Sequence, residues 1–142
     1  SPMAEVLLKK RLAERLQCKV EELDDRGVVV MSAGISAQPG SRAAAEAIQT
    51  VQQYGLDLSQ HESQPLTERI VRFADLVITM TRGHRDAILE AWPDAEPRIH
   101  LISQGRGDVP DPVGGPLDLY RRCAEQLDAY LAAWVDELPL NP

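Results

Sequence analysis

Asp75-Leu76-Val77-Ile78-Thr79-Met80 runs straight into Thr81 and a helical pattern over residues 82–91. Short, consecutive apolar runs of this kind read as strands buried on both faces of a parallel sheet. Thr81 is a good N-cap for the helix that follows, and Pro93 stops it. Outward from this unit the pattern repeats. Arg98-Ile99-His100-Leu101-Ile102 predicts another strand, and Gly27-Val28-Val29-Val30-Met31 a third, fully apolar and β-branched.

Helical segments separate these runs. Ser1 and Pro2 form an N-cap followed by proline at the first helical position, and Val6, Leu7, Leu8, Leu12, Ala13 and Leu16 fall at helical spacing. Further helices are predicted from Arg42 to Tyr54, from Glu68 to Phe73 behind Thr67, and onward from Pro116. The stripe of the last is Leu117, Tyr120, Ala124, Leu127, Leu131, Trp134 and Leu138. Alternating helices and short apolar strands predict an α/β fold of three layers, a parallel sheet with helices on both faces. Such sheets bind ligands at the C-terminal ends of their strands, where loops leave at Ser32, Met80 and Ser103.

At 142 residues the chain has the length of one domain, and 1–142 is read as such. Fifteen basic residues against 22 acidic ones give a net charge of −7, so no basic footprint for nucleic acid is present. An anion site must be made locally, by a helix N-terminus or a few placed arginines. No run approaches the roughly 18 apolar residues of a membrane span, and no signal peptide is visible; the expected compartment is the cytoplasm. Cys18 and Cys123 form neither a CxxC nor a zinc spacing. Cys123 reads as a small buried hydrophobe on the last helix. His84 and His100 read as structural, and neither a metal nor a cofactor is expected.

Four segments, in order and spanning nearly the whole chain, carry a resemblance. They are Ser1-Pro2-Met3-Ala4-Glu5, then Ser32-Ala33-Gly34 with Ser36, then Ala74-Asp75-Leu76 through Met80-Thr81-Arg82, then Asp108-Val109-Pro110-Asp111-Pro112 with Gly114-Gly115. Together they resemble the low-molecular-weight protein tyrosine phosphatase family, which includes bacterial protein arginine phosphatases. The resemblance implies a flavodoxin-like (Rossmann-like) sheet. It also implies a phosphoprotein substrate, binding of inorganic phosphate or another oxyanion, and catalysis through a cysteinyl-phosphate.

Site residues follow from the same resemblance. Asp111, before Pro112, matches the general acid. Ser1 matches the serine that donates to the thiolate. Ser32 and His61 match a serine and a histidine that brace the phosphate loop. The family's loop has the form Cys-x5-Arg and stands just before Ser-Pro. Here the sixth residue after Cys18 is Asp24 and after Cys123 is Ala129, so the sequence contains no such loop. The chain as given is therefore expected to lack the first strand, the nucleophile and the phosphate-binding arginine, and to be inactive. The strand-plus-loop logic predicts a natural product with about 10–20 further N-terminal residues.

Tyrosine-specific members carry aromatic residues after the acid loop's Asp-Pro. Val113 stands here, followed by Gly114-Gly115, a form more like the arginine phosphatase branch. Two other readings stay open. A non-catalytic, phosphatase-like binding module fits the absent nucleophile, but it would not need a positioned Asp111. An arsenate reductase would need relay cysteines, and the helix after Met80 has none.

Overall fold

The computed structural model describes residues 1–140. Its elements are α1 (Pro2–Leu16), α2 (Ala45–Gln52), α3 (Glu68–Phe73), β1 (Val77–Thr79), α4 (Arg82–Ala91), β2 (Ile99–Leu101) and α5 (Leu117–Glu137). Short 3-10 turns lie at Val20–Glu22, Asp24–Arg26 and Pro93–Arg98. The helix signals act as expected. Ser1, Thr67 and Thr81 each accept a backbone N–H three residues on, from Ala4, Ile70 and His84. Each cap satisfies one of the donors that a helix start leaves free. The second helix is shorter than predicted: it starts at Ala45 rather than Arg42, because Arg42 is drawn into an antiparallel bridge with Glu62.

β1 and β2 run parallel, with Val77 opposite Ile99 and Thr79 opposite Leu101. Alternation along β1 sends side chains to both faces. On one face, Val77 joins Val71, Ile88, Ala95 and Ile99, the cluster under α3 and α4. On the other, Leu76, Ile78 and Met80 pack on the main core. That core is built from α1, α2 and α5 around Leu7, Val51, Leu58, Leu127 and Leu131, all essentially without solvent exposure. Helices thus cover both faces of the parallel pair, the expected three layers. α1 and α5 are also joined at the surface by a bidentate pair, Arg11 Nε and Nη2 donating to Asp128 at 2.9 and 2.8 Å.

One strand expectation is corrected. Gly27–Met31 forms no strand: Gly27 is left-handed at φ +79° and ends a 3-10 turn, and the residues after it belong to no ladder among the described residues and are not buried on both faces. Val28 and Val30 pack against Leu12, Leu16 and Leu23, while Val29 and Met31 are 52% and 42% exposed. A strand is completed by a hydrogen-bonded neighbour on each edge, and an apolar run cannot supply its own. Here the Val28 N–H turns back to the Leu23 carbonyl, and the nearest ladder, β1–β2, pairs with no third strand.

The two environments predict different mutational costs. Leu7→Ala, in the closed core, should destabilise by about 2–5 kcal/mol. Val29→Ala should cost less than about 1 kcal/mol, as at an exposed position. Chemical denaturation of both variants checks this, since burial of Val29 would make the two costs comparable.

Candidate active site

The C-terminal ends of β1 and β2 fix the long loop that carries Asp111. Beyond the ladder, the Ile102 N–H donates to the Thr79 carbonyl at 2.8 Å, and the Val109 N–H to the Met80 carbonyl at 2.9 Å. Val109 itself is buried. Ser103, also buried, accepts from the Gly107 N–H at 3.2 Å. Asp108 accepts from the Arg82 N–H at 3.0 Å, a carboxylate placed at the N-terminus of α4. The loop is therefore stitched to the β1–α4 junction up to residue 109.

Past that point Asp111 is exposed, while Pro112 is buried beneath it. The Asp111 carboxylate accepts the Val113 N–H at 3.0 Å, forming a small Asx turn that orients it. The Gly115 N–H closes the turn on the Pro112 carbonyl at 2.9 Å. A Cβ at Gly115 would lie 2.6 Å from Leu119 Cδ2 and 3.0 Å from the Pro112 oxygen, so a side chain here requires Leu119 to move aside and the turn to give slightly. Gly114 has φ +81°, the left-handed region that glycine adopts without strain.

The electrostatics show what Asp111 faces. Desolvation pushes the Ser1 amino group below its ordinary range, although the residue as a whole stays exposed. Asp111, then Glu5 and Cys123, act on it in the opposite sense. Burial pushes the Cys123 thiol up, and the Asp111 charge adds to this. Tyr120 is raised by burial, helped by Glu46 and Asp111. Asp111 thus lies within electrostatic reach of the α1 N-terminus and of two buried side chains from the first turns of α5.

Ser32 joins this region by another route. Its N–H and its hydroxyl both donate to Glu5 Oε1 at 2.8 Å, and Lys9 Nζ donates to Glu5 Oε2 at 3.0 Å. The Ser32 carbonyl accepts from Gln64 Nε2 at 3.1 Å. Gly34 and the 64–66 segment exchange two backbone bonds, Gly34 N to Gln64 O and Leu66 N to Gly34 O. His61 is half-buried, and its charge is felt by Glu5. Burial works to raise the Glu5 pKa, but the hydrogen bonds and charges of Lys9, Ser32 and His61 outweigh it and hold the carboxyl below its ordinary 4.5.

Of the site residues expected from the sequence, Ser1 caps α1 and Ser32 is hydrogen-bonded to Glu5 in its first turn, while Asp111 and His61 lie within electrostatic reach of that turn. Glu5, Asp108 and Gln64 were not singled out as separate contributors. Asp108 and Glu5 sit inside quoted motifs, but their partners lie 26 and 27 residues away, and spacing does not give those. Cys123 is buried, as its helical position suggests, whereas Cys18 is half-buried and outside the site. His100 lies against Trp134, with ring centroids 5.6 Å apart, and the His84 backbone N–H donates to the Thr81 cap at 3.1 Å. Among the described residues no three His, Cys, Asp or Glu side chains are grouped to hold a metal ion.

An acidic group carried by a loop at the carboxyl ends of parallel strands, beside a helix N-terminus, defines a class: α/β enzymes acting on bound oxyanions. The family model for low molecular weight phosphotyrosine protein phosphatase matches residues 1–141, and the chain belongs to that family. It is 32% identical over 142 residues to a protein-arginine-phosphatase of Bacillus subtilis, covering 97% of this chain and 88% of that one. It is 29% identical over 139 residues to a probable low molecular weight protein-tyrosine-phosphatase, EpsP, of Ralstonia nicotianae, covering 97% and 87%. Among solved structures it resembles the YwlE arginine phosphatase from Geobacillus stearothermophilus with a TM-score of 0.81 and 31% identity, over 96% of this chain and 83% of that one. The family consists of hydrolases acting on phosphoproteins, and no helix of the described residues is long and apolar enough to cross a membrane.

Two outcomes follow from this geometry. Asp108→Ala, which leaves the Arg82 N–H without its carboxylate, should destabilise by about 1 kcal/mol and speed amide hydrogen exchange at Val109, Asp111 and Val113. The second concerns pH. The folded-state pKa of Glu5 is depressed, so its contribution to stability is fully present above 4.5 and is lost as pH falls through the lower folded value. In Glu5→Gln that part of the acid destabilisation should disappear, measured as a shallower fall of the unfolding midpoint below pH 4.5.

Proposed function

We propose that this domain removes phosphoryl groups from protein side chains, phosphoarginine or phosphotyrosine, with Asp111 as the general acid and base. The observation that carries the reading is Asp111 itself, exposed, oriented by its own Asx turn, and within electrostatic reach of the α1 N-terminus. A helix N-terminus favours an oxyanion through its free N–H groups and dipole. In the proposed first step a cysteine thiolate bonds to phosphorus while the bond from phosphorus to the leaving nitrogen or oxygen breaks. The Asp111 proton goes to the leaving atom. In the second step Asp111 takes a proton from water, the water oxygen bonds to phosphorus, and the sulfur leaves as thiolate with release of phosphate. Ser1 would donate to that departing thiolate, and Ser32 and His61 would brace the phosphate-holding loop.

The thiolate and the phosphate-gripping arginine belong to a Cys-x5-Arg loop that these 142 residues do not contain. The 142-residue chain alone is therefore proposed to be inactive. Phosphoarginine is the favoured substrate of the two. Val113, 70% exposed, stands where an aromatic wall would stack on a phenyl ring, and the arginine phosphatase of Bacillus subtilis is similar over nearly the whole chain.

The test uses peptides bearing phosphoarginine or phosphotyrosine. The 142-residue chain alone should turn over neither. The same chain preceded by an apolar strand and a Cys-x5-Arg loop joined to Ser1 should hydrolyse them, phosphoarginine faster, and Asp111→Asn should lower kcat by about 10²–10⁴-fold. Hydrolysis by the chain alone would defeat the assignment of the nucleophile. Tight binding of phosphopeptide without hydrolysis by the extended chain would replace the enzyme with a binding module.

A further inference from the structure

Glu5 is the most connected polar side chain in this part of the molecule. It stands one turn into α1, with its side chain only 13% exposed. One oxygen receives both donors of Ser32, and the other receives Lys9. Through Ser32 it reaches Gln64, and two backbone bonds between Gly34 and the 64–66 segment continue the network. A carboxylate next to an oxyanion site is electrostatically unfavourable unless neutralised. Here the neutralising groups are in place, Lys9 from the next turn at 3.0 Å together with the two Ser32 donors.

Two donors of one residue converging on a single carboxylate oxygen fix that residue's backbone and its χ1 together. Rotation of the Ser32 side chain breaks the hydroxyl bond, and a shift of its backbone breaks the amide bond. Resting on the phosphatase reading above, we propose that Glu5 is a positioning residue. It ties the Ser32–Gly34 exit and the 61–66 segment to the helix whose N-terminus holds the phosphoryl group. Ser32 stands where it does because Glu5 holds it there. Glu5 touches neither substrate nor reacting atoms in this role.

Two measurements test this. The first is the ¹H–¹⁵N spectrum of the full 142-residue chain. The Ser32 amide resonance should follow the acid titration of Glu5 in the unsubstituted protein and be insensitive to acid in Glu5→Gln. In Glu5→Ala, the amides of Gly34, His61 and Gln64 should also shift. The second is hydrolysis by the chain carrying the Cys-x5-Arg loop. Glu5→Ala should lower kcat by about tenfold while KM changes little, as displacement of positioned groups does. Glu5→Gln keeps an acceptor oxygen for Ser32 and should recover most of the loss. Changes confined to α1 and Lys9, or an unaltered kcat in Glu5→Ala, would overturn the proposal. Absence of hydrolysis by the unsubstituted extended chain defeats the phosphatase reading instead, and the spectra then decide Glu5 alone.

Discussion

Two backbone hydrogen bonds, Ile102 N–H to Thr79 O at 2.8 Å and Val109 N–H to Met80 O at 2.9 Å, carry the parallel pairing of β1 and β2 past its last ladder residue. The placement of Asp111 depends on them. A loop leaving a strand is free to wander unless its backbone groups find partners. Here the strand ends keep hold of the loop until Val109 enters the core, and Asp108 secures the same point to α4. Only then does the chain emerge, and the turn over Pro112 to Gly115 leaves Asp111 exposed within electrostatic reach of the start of α1. The sheet is small, but its carboxyl end sets the position of the acid.

The charge balance explains why the rest of the site is local. A chain of net charge −7 offers no general attraction for a phosphorylated protein. On the proposed reading the attraction comes from α1, whose first turn presents backbone N–H groups and whose cap, Ser1, uses its own oxygen on Ala4. Glu5 in the same turn complements the helix dipole but would oppose a bound phosphate. Its pairing with Lys9 and Ser32 reconciles the two demands, converting a repulsive charge into a fixed point for the neighbouring loop. The buried neighbours Tyr120 and Cys123 add a low-polarity side to the site, in which the charge on Asp111 acts over a longer reach.

Much of this was legible in the sequence, because local rules set it. The caps at Ser1, Thr67 and Thr81, the apolar run at β1 and the stripe of α5 each depend on residues within a few positions. The acid loop was legible as a motif, and the turn chemistry at Asp111–Gly115 explains why the motif has that form. Gly27–Met31 was misread because β-branched residues announce an extended backbone but not a partner for it. Pairing is a property of two segments. Ser32 was found, yet its partner was not, since a bond across 27 residues leaves no periodic trace. The same holds for Asp108 and Arg82.

The most direct test of the account is the position of a bound oxyanion. Orthovanadate mimics the phosphoryl group in flight, so a crystal structure of its complex with the chain carrying a Cys-x5-Arg loop would place the reacting centre. The account predicts vanadate at the N-terminus of α1, with the Asp111 carboxylate within hydrogen-bond distance of its apical oxygen. Vanadate bound elsewhere, or Asp111 turned away from it toward solvent, would contradict the assignment of this loop as the source of the catalytic acid.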